Sequence, residues 1–336
     1  MRFKAKIIQT DSEITVEADE TLLAAARRQN VPYPFSCSKG NCGACKSRLV
    51  AGEIEQLSHR PTTLDDEEKS LGLFLACRTK AKSDVVISWL EESEDAIPAQ
   101  KFVGQVTNLE ALTHDIRRVV VKIADTTVFK FKPGQYVQFS VNGYEPRSYS
   151  LANQPGETHL EFFIRLTPGG KTSSFIHKEL RVGDSVQLEG PFGNAHLRTD
   201  HTGPILAVAG GSGLAPIHSI VSTALKSGFK QAIYFYFGVR AEKELFFLNE
   251  MEHLTDLYPN FKFIPVVDQG SPSFRTGRVG EALLQDWPKF EGLWQAYIAG
   301  PPPMVDSIHP HLLERGFKKH NIFSDPFYFQ NKGSNS

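Results

Sequence analysis

Three of the four cysteines in this chain crowd one short stretch, positions 36 to 46, which reads Ser-Cys-Ser-Lys-Gly-Asn-Cys-Gly-Ala-Cys-Lys. Cys37, Cys42 and Cys45 lie on a loop nearly free of bulky side chains, and Cys77 stands alone downstream. Cys-x4-Cys-x2-Cys with a distant fourth thiol is a spacing that wraps a [2Fe–2S] cluster, whose irons need four thiolates converging on one small core. Gly40 and Gly43 suit that task, because backbone turning tightly around an inorganic core needs positive φ angles and free amides. Structural zinc competes, but its ligands usually come as two short pairs. Disulfides would need an oxidising compartment, and the opening Met-Arg-Phe-Lys-Ala-Lys lacks the apolar core of a signal peptide. Inert buried thiols would not gather in a Gly-rich loop.

Other residues with chemistry follow in order. Arg147-Ser148-Tyr149-Ser150 comes just after Pro146. On a strand, alternation puts Arg147 and Tyr149 on one face, where a guanidinium can clamp a phosphate and a phenol can lie on a planar heterocycle. Next, Phe163-Ile164-Arg165-Leu-Thr-Pro-Gly169-Gly170 runs into Lys171, Thr172 and Ser173, a turn able to cradle a pyrophosphate with amides and hydroxyls. Gly210-Gly211-Ser212-Gly213-Leu-Ala215-Pro216 follows an apolar run and opens a helical segment, the context of a dinucleotide-phosphate loop, though without the third glycine of the Rossmann fingerprint. Gly300-Pro301-Pro-Pro-Met304 follows the last apolar strand, where open α/β sheets bind ligands.

Three regions of differing pattern must position these groups. Residues 2–8 and 13–17 read as strands, and Thr21 to Gln29 as a short Ala-rich helix capped by Asp19 or Thr21 that delivers the cysteine loop. Lys46–Val50, Leu75–Arg78 and Val85–Trp89 read as the strands that close a small sheet. The charged, aperiodic stretch from Glu91 to Gln100 reads as a linker. Arg118–Ile123, Tyr136–Val141, Ser148–Leu151, Leu160–Leu166 and Ser185–Leu188 are short strands between turns such as Lys132-Pro-Gly, which predicts an antiparallel barrel. Beyond Gly203, buried strands at Pro204–Ala209, Ala232–Phe237, Phe261–Val267 and Gln295–Ala299 alternate with helices, which predicts a doubly wound parallel sheet.

The cysteine run resembles the plant-type ferredoxins. With the motifs that follow, essentially the whole chain resembles the ferredoxin–NADP reductase superfamily fused to an N-terminal ferredoxin, that is, the reductase components of multicomponent oxygenases. The resemblance implies a β-grasp ferredoxin over residues 1–95, a six-stranded antiparallel FAD barrel over 96–200, a doubly wound parallel α/β domain for NAD(P)H over 201–330, and a disordered tail over 331–336. It further implies that Cys37, Cys42, Cys45 and Cys77 ligate the cluster. FAD would be held by Arg147, Ser148, Tyr149, Ser150, Ile164, Arg165, Gly170, Lys171, Thr172 and Ser173, with Phe327 shielding the ring. The dinucleotide would be held by Gly210, Gly211, Ser212, Gly213, Ala215, Pro216, Gly238, Arg240, Gly300, Pro301 and Met304. No catalytic side chain is implied, since the cofactors carry the redox chemistry. Many members have Cys just before the Gly-Pro-x-x-Met loop, and here that position is Ala299. The family prefers NADH; Arg240 has no acidic neighbour at its strand end, which leaves NADPH open.

The expected partner is a terminal oxygenase or a separate ferredoxin, meeting the cluster loop near Ser38, Lys39 and Asn41; a sugar-deoxygenating dehydratase is the alternative partner, and a zinc-stabilised binding module the alternative class. A net charge of −1 offers no basic stripe for nucleic acid. Residues 1–96 hold 13 Lys/Arg against 16 Asp/Glu, a balance of −3, with acidic runs at Asp65–Glu68 and Glu91–Asp95 that read as solvated surface. No apolar run approaches the roughly 18 to 20 residues of a membrane span, so a cytoplasmic protein, taken as a monomer, is expected.

Overall fold

The computed structural model describes residues 2–35, 38–40, 43–61, 63–90, 97–123 and 129–328. Cys37, Cys42, Asn41 and the tail expected at 331–336 lie outside the described residues. The chain forms two compact units, one of Met1–Gln100 with Phe192–Asn194 and Tyr328–Ser336, the other of Lys101–Pro191 with Ala195–Phe327.

In the first unit, β1 (Arg2–Ile7) and β2 (Ser12–Glu17) pair antiparallel with Ala5 opposite Ile14. Alternation puts Ala5, Ile7, Ile14 and Val16 in the core. α1 (Leu22–Arg28) covers them with Leu22, Leu23, Ala25 and Ala26, and Thr21 is its N-cap, accepting from the Ala24 N–H at 3.3 Å. Then come β3 (Lys46–Ala51), β4 (Ile54–Gln56), α2 (Asp66–Ser70), β5 (Leu73–Leu75), β6 (Thr79–Ala81) and β7 (Val85–Trp89). The sheet runs β2-β1-β7-β3-β5 with β1 and β7 parallel, and β4 pairs with β6, a β-grasp arrangement. The strand expected over Leu75–Arg78 is cut short. Ala76–Arg78 form a 3-10 turn carrying Cys77, because the Ala76 N–H turns to the Cys45 carbonyl at 3.0 Å.

The second unit opens with β8 (Gln100–Ala111), β9 (Ile116–Ile123), β10 (Tyr136–Ser140), β11 (Arg147–Ser150), β12 (His159–Arg165), α3 (Lys171–Lys178) and β13 (Ser185–Phe192). Their order, β11-β10-β13-β8-β9-β12, makes a nearly closed six-stranded barrel filled by Val119, Val121, Phe139, Phe162, Ile164 and Leu188. β8 was not among the strands read from the sequence: a bulge between Val106 and Asn108 breaks its alternation and most of its side chains are exposed.

Then β14 (Ile205–Gly210), α4 (Leu214–Lys226), β15 (Ile233–Val239), α5 (Leu248–Leu257), β16 (Phe261–Val267), β17 (Arg275–Thr276), α6 (Val279–Asp286), β18 (Gln295–Gly300), α7 (Pro302–Glu314) and β19 (Ile322–Pro326) build a parallel sheet ordered β17-β16-β15-β14-β18-β19. One face packs Ala207, Phe235 and Phe237 against Ile217, Val221 and Met251 of α4 and α5. The other packs Leu206, Val208 and Ile298 against Leu283, Ile308 and Leu312 of α6 and α7. Burial on both faces explains the unbroken apolar run of β14, none of which is exposed. The chain first winds from β14 towards β17 and then crosses to β18, so the strand order reverses between β14 and β18. Among the described residues, no helix is long and apolar enough to cross a membrane.

Candidate functional site

In the first unit, Cys45 and Cys77 are buried, and the Cys77 N–H donates to Cys45 Sγ at 3.4 Å. An amide aimed at a neighbouring sulfur is what a thiolate-bound cluster calls for, so this half of the ligand set fits. Gly40 and Gly43 lie at φ 77° and 76°, as the wrapping backbone requires. A Cβ on Gly40 would come within 2.8 Å of Arg78 Cγ and 2.9 Å of His59 Cβ. The other two cysteines fall outside the described residues.

In the second unit, β11 pairs with β10 so that Arg147 faces Phe139 and Tyr149 faces Val137, which keeps the two on one side of the strand. The Tyr149 ring meets Phe139 edge-on at 5.7 Å, and burial raises its phenol above the ordinary range despite Arg147. Arg147 Nη1 donates to the carbonyls of Pro146 (2.8 Å) and Glu145 (3.4 Å). Thr172 Oγ1 donates to the same Glu145 carbonyl at 3.2 Å, so the strand and the start of α3 meet at one oxygen. Gly169, at φ 71°, turns the chain into α3, whose N-cap Gly170 offers no side-chain bond to the first amides. A helix start whose amides lack a side-chain cap, beside a guanidinium, fits an anionic phosphate. Ser173 is tied inward, accepting from the Thr167 N–H at 3.1 Å, while Lys171 is exposed. Ser148 accepts from Gln138 at 2.9 Å.

Two residues grouped with these are not brought to them. Ile164 is in the barrel core and its carbonyl bonds His177 Nε2 at 2.8 Å. Arg165 pairs with Asp115 at 3.0 Å and lies so close over Gly211 that a Cβ there would be 2.8 Å from its Nη2.

The glycine loops of β14 and β18 pack backbone against backbone. A Cβ on Gly213 would sit 2.2 Å from the Ala299 carbonyl oxygen, and one on Gly300 would sit 2.8 Å from the Gly210 carbonyl oxygen. A Cβ on Gly210 would strike Met304 Sδ at 2.7 Å and Pro301 at 2.9 Å. These loops lie at the carboxyl ends of the two strands between which the order reverses, which is where open α/β sheets take their ligands. Ser212, Ala215 and Pro216 are buried in the loop and the first turn of α4, where Pro216 lacks only an amide with no intrahelical partner. Gly238 lies beside Gly210 in the register of β14 and β15, and its missing Cβ makes room for Val279 of α6 at 2.7 Å.

Two acidic residues join the site that spacing did not single out. Glu244 Oε2 accepts from the Arg240 N–H at 3.1 Å, so the end of β15 does have a carboxylate beside it. The sequence hid it behind a one-turn 3-10 helix, Glu242–Glu244. Asp325, opposite Ala299 in the register of β18 and β19, accepts from Ser150 Oγ at 3.3 Å. Burial pushes its carboxyl up to about 6, against the Ser150 bond. Two residues on, the Phe327 N–H donates to the Gly300 carbonyl at 2.9 Å. β19 thus joins the barrel motif to the proline loop.

An iron–sulfur unit followed by a flavin barrel and a dinucleotide sheet defines an electron-transfer flavoprotein. Family models agree: a 2Fe-2S iron-sulfur cluster binding domain matches residues 6–82, an oxidoreductase FAD-binding domain 104–197 and an oxidoreductase NAD-binding domain 207–309. The chain is 38% identical over 94% of its length to the ferredoxin–NAD(P)+ reductase component of naphthalene 1,2-dioxygenase/salicylate 5-hydroxylase systems from a Ralstonia species, covering 95% of that protein. It is 34% identical to the reductase component of phenol 2-monooxygenase from a Pseudomonas species, over 98% of this chain and 95% of that one. The crystal structure of an Amycolatopsis cytochrome P450 reductase superposes with a TM-score of 0.78 at 32% identity, over 97% of this chain and 98% of that one. The chain belongs to the family of iron–sulfur flavoprotein reductase components of oxygenase systems. It is an NAD(P)H-dependent oxidoreductase with FAD and [2Fe–2S] domains.

Proposed function

We propose that the chain carries electrons from NADH to the oxygenase component of an aromatic or hydrocarbon oxygenase system, by way of FAD and the [2Fe–2S] cluster. The observation that carries this reading is the meeting, at the reversal point of the sheet, of the loop Gly210–Gly213, the loop from Gly300 and the β11 residue Ser150 through Asp325. When bound, FAD supplies the conversion of a hydride's electron pair into the single electrons that a [2Fe–2S] cluster accepts.

The chain's own residues bind and orient. The amides of Gly211–Gly213 and the start of α4 hold the dinucleotide pyrophosphate, where the helix dipole favours negative charge. Arg165, aimed at Gly211 from the barrel, adds a positive charge on that side. Glu244 suits the two hydroxyls of an adenosine ribose and repels a 2′-phosphate, which favours NADH. Pro301 and Met304 wall the loop where the nicotinamide lies, and with Ala299 in place of a thiol they and Gly300 alone set its alignment. Arg147 and the start of α3 would hold the flavin phosphates, Tyr149 and Phe327 would pack on its ring, and Ser150, donating to the Asp325 carboxylate, would lie at the ring's edge. The loop at 36–46, where Lys39 is exposed, is the exit face towards the oxygenase. The match of residues 6–82 to an iron-sulfur domain speaks against zinc, and oxygenase-system relatives speak against a dehydratase partner.

The test is Cys77→Ser in the full-length protein. Ferricyanide reduction by NADH should persist, since it needs only the flavin, while cytochrome c reduction and delivery to an oxygenase component collapse. Retention of both activities would refute the electron order.

A further inference from the structure

His218 lies on α4 five residues beyond Gly213, buried at 7% exposure, and its two ring nitrogens reach different parts of the unit. Nδ1 is 2.7 Å from the carbonyl oxygen of Ala152, in the barrel segment after β11; Nε2 is 2.8 Å from Oε1 of Glu250 on α5. A backbone carbonyl only accepts, so Nδ1 carries a proton. Glu250 is 47% exposed. Burial pushes its carboxyl up, but the His218 bond and the charges of Arg118 and Lys226 outweigh it and hold the group below the ordinary range. An ionised carboxylate likewise only accepts, so Nε2 carries a proton too, and the ring is an imidazolium. The next residue repeats the barrel contact, Ser219 Oγ donating to the Asn153 carbonyl at 2.7 Å.

The surroundings suit a charge. Phe247 packs edge-on against the ring at 5.4 Å and Phe163 lies 6.4 Å away. Besides Glu250, the charged groups turned this way are Glu161 of β12 and Arg118 of β9; Arg118 grips Glu161 at 2.7 and 3.0 Å, reaches Glu110 at 3.3 Å and lies over Phe247 at 5.7 Å. Lys226, at the end of α4, acts on Glu250. Burial lowers the affinity of His218 for its second proton, but Glu250, the Ala152 carbonyl and Glu161 outweigh it and raise the ring above 6.5.

We propose that His218, as an imidazolium shared between the barrel and α5, is a positioning residue for α4 and hence for the Gly210–Gly213 loop, so that dinucleotide affinity falls when the ring loses its second proton. This rests on the assignment of that loop to NAD(P)H. A neutral ring keeps a single N–H, so a lone pair would face either the Glu250 carboxylate or the Ala152 carbonyl, two acceptors face to face, and one of the two ties of α4 would be lost. That loss lies on the alkaline side, because a folded-state value above 6.5 keeps the bridge intact below it and dissolves it as pH climbs past.

The experiment uses full-length protein loaded with FAD and ferricyanide as acceptor, which keeps the cluster out of the measured path. NADH KM should rise about tenfold along an alkaline limb, the loss of one charge-assisted hydrogen bond, with kcat nearly level. His218→Gln should show the high KM throughout and no limb, and Glu250→Gln should move the limb to lower pH. Nitrogen NMR of the ring near neutral pH should find both nitrogens protonated, with or without NADH. A neutral ring, or a limb that persists in His218→Gln, overturns the proposal; if that variant does not fold, an unmoved limb in Glu250→Gln does so. A doubly protonated ring together with an NADH KM unchanged in Gly213→Ala would sink the loop assignment, and with it the effect on affinity.

Discussion

At the scale of single residues, the two carboxylates found only in the folded chain make the sharpest predictions. Asp325 has a folded-state value of about 6, above the 3.8 of an ordinary Asp. Stability from this group is therefore complete below the ordinary value and is lost as pH rises through about 6. Asp325→Asn removes that loss, worth about 1 to 3 kcal/mol for a partly buried group. In flavin-free protein the variant should melt several degrees above the parent near neutral pH, and the gap should close towards the acid end of the window. An equal gap at both ends, followed by calorimetry, would rule out titration as the cause. Its hydride transfer to bound FAD should be slower, measured by stopped flow. Glu244→Ala makes a separate prediction. Without the carboxylate beside the Arg240 N–H, discrimination against NADPH should relax by about tenfold in the ratio of kcat/KM values, a contribution typical of one charged contact. An unchanged ratio would mean that Glu244 does not face the ribose.

At the scale of elements, α3 shows how a short helix is held for a task at its other end. Its eight residues are too few to be stable alone, and its start lacks a side-chain cap. The far end is clamped instead: Arg117 Nη1 donates to the carbonyls of Ile176 and His177 at 2.8 and 3.0 Å. Both lie in the last turn, where carbonyls lack intrahelical partners and a cation is favoured. Arg117→Ala should cost about 2 kcal/mol and release FAD more readily, although the residue lies beyond the end of the helix opposite to the phosphates. Denaturant unfolding and flavin fluorescence would check this. FAD retention equal to the parent at the same loss of stability would separate the clamp from the binding turn.

At the scale of the whole molecule, two compact units imply two folding events. Cluster binding is coupled to folding, so stripping iron, or Cys77→Ser, should lower the melting of the first unit and leave the second nearly unchanged. Calorimetry should resolve two transitions, only one of which responds to iron. A single transition that shifts as a whole would show instead that the units unfold together.

Much of this protein was legible in its sequence because the chemistry is written locally. Four thiols at one spacing, glycines after an apolar run and a proline loop after another are short-range signals, since close backbone approach and metal ligation both demand fixed residue types at fixed separations. The barrel and the sheet could be read from strand length and alternation, except at β8, where a bulge spoils the period, and at the sheet's outer strands, the two-residue β17 and the mixed Ile-Phe-Ser-Asp-Pro of β19. What the sequence could not determine depends on which strands become neighbours. Ser150 and Asp325 are 175 residues apart and meet only because β19 lies beside β18. The Arg165 side chain reaches Gly211 from the barrel, and Gly238 comes to lie beside Gly210 with Val279 of α6 packed on it, because the tertiary structure decides which face each residue presents and what covers it.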